Sequence, residues 1–284
     1  MPQATRPNPP VLWLLPLTAL LVAVFWSAWA ELYDLATRHE EYGHILLAPL
    51  MAGWLAWLRR ERLADALTGP RWPGLGILFV GLALSLVGEH RLIETFWFAG
   101  ALLAVCGVVV AVTGIGVIRR FAAAWGALLF ILPLPGVLRP YVAAPLQTYA
   151  AACVDGLYRL AGGHIELQGS VLLIRGVPVA VGEACNGMRM LVALILIVYT
   201  AVFTWKLGPR LRLLFIALSP VVALVANVIR LIPAVWGFGH LDAGLAEQIH
   251  DASGWAMLVV LLAALGWFVI RHPTQSSPAT RRLT

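Results

Sequence analysis

The residues predict an all-α protein that crosses a membrane several times, and three observations carry that prediction. Of the 284 residues, 61% are hydrophobic and 12% charged, about half the charged share of a soluble domain. The apolar residues run in long blocks rather than in the stripes of a soluble core. The basic residues fall mostly in the short polar gaps between those blocks, as they do in the loops of polytopic proteins.

Eight apolar blocks read as candidate spans, at roughly 11–30, 45–58, 72–88, 96–118, 121–138, 185–205, 213–236 and 253–270. Several approach the ~20 residues needed to cross the hydrocarbon core, and the block at 45–58 is short. The chain reads as one membrane domain over 1–284, with an insertion at 139–184 and a polar tail at 271–284. The first block follows MPQATRPNPP and has no clear small-residue cleavage site, so no cleaved signal peptide is expected.

Loop charge sets the orientation. Arg6, the arginines at 59, 60, 62 and 71, the pair Arg119 and Arg120, Lys206, Arg210, Arg212, and the tail's Arg271, Arg281 and Arg282 fall on one side. The opposite loops hold Arg38, Arg91, Arg139, Arg159 and Arg175. The positive-inside rule makes the first side cytoplasmic, with both termini there and the 139–184 segment outside the cytoplasm. A cell-membrane location follows. The net charge of +6 forms no continuous stripe, so no nucleic-acid partner is expected.

The insertion carries water-facing patterning. YVAAPLQTYAAACVDGLYRLAGG reads as a helix on or beside the bundle, ended by Gly162 and Gly163. HIELQGSVLLIRGVPVAVGE has short β-branched runs broken at Gly169-Ser170 and Arg175-Gly176, the pattern of a small β meander. It leads directly to Cys185.

Polar residues then collect at the outer face. Cys185 opens the sixth block, where a helix N-terminus favours the thiolate. Cys106 sits deep in an apolar block and reads as a small hydrophobe, and with Cys153 the three cysteines are too few for a disulfide framework. Arg230 lies in VANVIRLIPAVW, six residues before the block ends at Trp236, so ~10 Å below its outer end. It is read either as functional, as an arginine within a span is by default, or as a structural partner for an acid such as Glu183 or a snorkelling surface cation. Asn227, three residues earlier on the same face, orients its guanidinium. His250 precedes the eighth block and taken alone is an ordinary loop histidine. Arg189, one turn below Cys185 on a continuous helix, is structural or holds an anion. Glu183 balances these arginines.

Together, thiolate, imidazole and guanidinium are the nucleophile, proton shuttle and oxyanion stabiliser of acyl transfer through a thioester. Other intramembrane protease signatures are missing. The chain has no G-x-S-x-G elbow. In RHEEYGHI, His39 and His44 are five apart, hence ~140° apart around a helix, and do not form an H-E-x-x-H zinc pair. No metal and no cofactor are expected.

At these residues the chain resembles the exosortase/archaeosortase family, on EACNGMR (Glu183, Cys185, Gly187), NVIR (Asn227, Arg230) and QIHDASG (His250). YGHILLAP (Tyr42 to Pro49) and FILPLPGVL (Pro133, Pro135) extend the likeness over most of the chain. Asn186 departs from it, standing where many members carry Ser or Thr. The resemblance implies Cys185 as nucleophile, His250 as general acid or base and Arg230 as oxyanion stabiliser. It also implies as substrate an exported protein with a C-terminal recognition motif, an apolar helix and a basic cluster, and a link to extracellular polysaccharide machinery. Beyond the lipid bilayer, these are the partners expected. The competing reading is a non-enzymatic transporter or scaffold subunit of polysaccharide export.

Overall fold

The computed structural model describes residues 12–174, 176–180, 187–205 and 207–271. The chain divides into two compact units, Met1–Gly136 and Val137–Thr284.

The first unit opens with α1 (Leu14–Val24) and α2 (Trp26–Arg38), bent by 71° at Phe25. One straight helix over 11–30 is therefore replaced by two. Phe25, at φ −96° and ψ 24°, leaves the helical region. It is also buried, so the bend seats a bulky ring. Helix α2 is amphipathic and buries Ala28, Leu32 and Ala36, one residue per turn. Helix α3 (His44–Trp57) follows, with His44 at its head donating from Nδ1 to the Glu41 carbonyl at 3.0 Å.

Next come α4 (Trp72–Arg91) and α5 (Glu94–Thr113), joined by a tight turn. Gly74, Gly81 and Gly88 recur every seven residues on α4, and Gly100 and Gly107 do so on α5. A heptad spacing keeps a residue type on one face of a pair of supercoiled helices. A Cβ at any of these glycines would strike the opposing backbone: at Gly81 it would meet Ala104 and the Gly100 carbonyl oxygen (2.8 Å), and at Gly100 it would meet Ser85 and the Gly81 carbonyl oxygen (2.6 Å). Hydrocarbon solvent gives apolar side chains no reason to associate, so close backbone packing is what holds such a hairpin. Helix α6 (Ala122–Leu128) and a single 3-10 turn to Ile131 cover only the first part of the block at 121–138, and the residues leading to Pro133 and Pro135 leave the helix. Proline removes the donor that the next turn requires.

The second unit starts with α7 (Arg139–Leu160). It ends as its two glycines dictate: Gly162 is left-handed at φ +82°, and the Gly163 N–H donates to the Tyr158 carbonyl at 2.9 Å. Three short antiparallel strands follow in the order β1-β2-β3: Glu166–Gln168, Val171–Ile174 and Val177–Ala180. The register pairs Leu167 with Leu172 and Leu172 with Val179. Left-handed glycines stand in both turns, Gly169 and Gly176. Helices α8 (Met188–Thr204), α9 (Pro209–His240) and α10 (Ala243–Arg271) complete the unit.

One core joins α7, the sheet and the C-terminal half of α9 through Ala150, Val154, Leu172, Ile174, Leu231 and Val235. A second joins α8 to the N-terminal half of α9 through Leu194, Val198, Val202 and Ala223. Among the described residues, α4, α5 and α9 are long and apolar enough to cross a membrane, and α1 with α2 adds a fourth span if the bent pair counts as one. Helices α3, α8 and Ala122–Ile131 are shorter apolar segments. The chain is thus a helical membrane protein.

Candidate active site

Glu183, Cys185 and Asn186 lie outside the described residues. The chain is described again at Gly187, which is left-handed at φ +79° and forms the N-cap of α8. The described helix α8 begins at Met188, because the left-handed Gly187 interrupts the helical backbone, and the expected helical setting of Cys185 lies outside the described residues. The expected one-turn relation of Cys185 to Arg189 likewise falls on a residue outside the described ones. Arg189 is exposed in the first turn of α8.

Gly187 packs on α9. A Cβ there would come within 2.9 Å of the Asn227 side-chain nitrogen, and Asn227 is fully buried. The start of α8 is thereby held at the depth of Asn227, three residues from Arg230 on the same helix face.

Arg230 is also buried, at 8% exposure. Helix α9 runs on to His240, ten residues past Arg230 rather than six, so the guanidinium-bearing turn lies ~15 Å below the helix end. The added turns are supported by the sheet, where Ile174 of β2 packs on Gly239. An arginine this deep is costly unless its charge is compensated.

His250 lies inside a helix, not in a loop before one. Helix α10 begins at Ala243 because Asp242 caps it, its Oδ1 accepting the Leu245 N–H at 3.0 Å. The cap was legible in LDAGLAEQI as an aspartate ahead of helix formers. His250 is buried at 9% exposure and its ring lies 6.3 Å from Phe238, tilted by 50°. Its carbonyl accepts the Ser253 hydroxyl at 2.7 Å.

The register of the α9–α10 hairpin follows from two close approaches. Gly237 faces Ala246 at 3.5 Å, and Gly254 faces a terminal nitrogen of Arg230 at 3.3 Å, measured from the Cβ each glycine lacks. Antiparallel helices with these pairings put His250 level with Ala234, one turn (~5 Å) from Arg230. Residues from α8, α9 and α10 therefore meet within about two helical turns. Gly254 is the member of this group that sequence reasoning passed over, although a glycine four residues after a histidine in a helical block was there to be read.

Among the described residues, no three of His, Cys, Asp and Glu are grouped to hold a metal ion. A groove of about 790 Å³ opens between α7 and α9, lined by Cys153, Gly156, Leu157, Val225 and Ile229, with Arg159 also at its wall. Arg159 is paired to Asp155 at 2.8 Å.

The family model for transmembrane exosortases matches residues 26–267, most of the chain. Among curated proteins and among solved structures, none matches it.

Proposed function

The chain belongs to the transmembrane exosortase family, and from that membership we propose that it is a membrane cysteine transpeptidase or protease acting on C-terminal sorting signals of exported proteins. The observation that carries the assignment of residues is the meeting of three helices. Gly187 is seated on Asn227, while Arg230 of the same face reaches α10 one turn from His250. Only Asn186 stands between Cys185 and Gly187, a tether of two residue steps and at most ~7 Å.

In this reading the Cys185 thiolate attacks the scissile carbonyl carbon. Arg230 stabilises the oxyanion that forms on the carbonyl oxygen. His250, protonated, gives its proton to the leaving amine as the C–N bond breaks and a thioester remains. Neutral His250 then takes a proton from the incoming amine, hydroxyl or water, which displaces the thiolate. Burial of Arg230 supports its role, because a cation out of water acts more strongly on developing charge. The apolar α7–α9 groove suits the apolar helix of a substrate. Eight spans, both termini in the cytoplasm and a site facing outward complete the proposal, with polysaccharide machinery as the neighbouring system.

The test is Cys185→Ala in cells that also make an exported protein with a C-terminal motif, apolar helix and basic cluster. Processing should stop at unchanged protein level; continued processing rejects the catalytic reading in favour of a transporter or scaffold. A membrane-impermeant thiol reagent supplies a second arm, with Cys185 expected to label faster than Cys106. Cys153 is an exposed free thiol, so labelling requires a Cys153→Ser background.

A further inference from the structure

Gly254 lies in the interior of α10, one turn after His250 and on the same face. Glycine is a poor helix former there, and its presence calls for a packing or functional reason. The reason is on the neighbouring helix. A methyl group at Gly254 would come 3.3 Å from a terminal nitrogen of Arg230 and 3.8 Å from its Cδ. Gly266, three turns further along α10, has nothing within 4 Å of a built Cβ, so the close approach is particular to position 254.

We propose that Gly254 is a positioning residue for the reaction: the side chain it lacks is the slot that seats the Arg230 guanidinium on α10, one turn from His250. The inference rests on the catalytic reading above, in which Arg230 acts on the oxyanion. A guanidinium is planar and delivers its donors in a fixed fork, so a methyl that makes one end give by a few tenths of an ångström re-aims the fork. Oxyanion stabilisation requires donors within hydrogen-bond distance of the developing charge, and a shift of a few tenths of an ångström weakens it.

The experiment compares first-order processing rates by pulse–chase, using the full-length protein in cells with the substrate type named above. Gly254→Ala should slow processing about 3- to 10-fold, while Gly266→Ala should not. Alanine is the better helix former, so the thermal midpoint of the purified Gly254→Ala protein should hold or rise.

A double variant separates positioning from structure. Arg230→Lys replaces the fork with a shorter, compact ammonium that the methyl does not reach, so Gly254→Ala should add no further loss in that background. If the two losses multiply, or if Gly254→Ala processes at the wild-type rate, Gly254 does not seat Arg230. Either result leaves the catalytic reading standing as long as Cys185→Ala is inactive. Processing by Cys185→Ala removes both.

Discussion

Gly187 meets two demands at one residue. Its φ of +79° is a conformation in which a β-carbon costs about 1–2 kcal/mol, and its Cα faces Asn227 so closely that the same β-carbon would stand 2.9 Å from the amide nitrogen. Gly169 shares the first demand, at φ +63°, with nothing within 4 Å. Gly187→Ala is therefore expected to reduce processing at least about tenfold, whereas Gly169→Ala loses stability of about 1 kcal/mol and keeps its processing rate. Equal processing rates in the two variants would show that the Asn227 contact has no part in the site. The sequence marked Gly187 as a motif residue without marking its backbone. A positive φ leaves no trace in composition, and only the seating on α9 makes it necessary.

At the scale of elements, the α4–α5 hairpin is held by glycines at heptad spacing. Gly81→Leu drives a side chain into the backbone of Ala104 and Gly100, whereas Gly76→Leu on the same helix enters open space. Overpacking of this kind costs about 1–3 kcal/mol or more, and Gly81 faces main chain that has no rotamer to yield. The Gly81 variant is expected to lose folded protein in a detergent melting assay, and the Gly76 variant to match wild type. Helix boundaries were less legible than helices. Asp242 sets the start of α10 and Gly187 that of α8, and both boundaries follow from local hydrogen bonding or backbone geometry that hydropathy does not record. The block at 121–138 ends early because it runs into Pro133 and Pro135.

For the whole molecule, the candidate residues from Gly187 to Gly254 all lie in the second compact unit, Val137–Thr284. The orientation proposed from loop charge puts Arg119 and Arg120 in the cytoplasm and the β1–β2 turn outside it. An alkaline phosphatase reporter inserted at the Gly169–Ser170 turn should be active, and one fused after Arg120 inactive. The reverse pattern would put the candidate site on the cytoplasmic side.

Sequence alone determined the helical membrane class, because 61% hydrophobic residues with 12% charged ones run in long apolar blocks, and a continuous apolar block in lipid satisfies its own backbone as a helix. It also pointed to the family, which the match over residues 26–267 bears out, and supplied the residue types of the candidate site, since motif identity survives without coordinates. Tertiary structure decided the depth of Arg230, the helical setting of His250, and the contacts that tie Gly187 to Asn227 and Gly254 to Arg230. Those depend on which faces of α8, α9 and α10 meet, and helix pairing in lipid is chosen by close steric fit between distant residues, which local patterning does not encode.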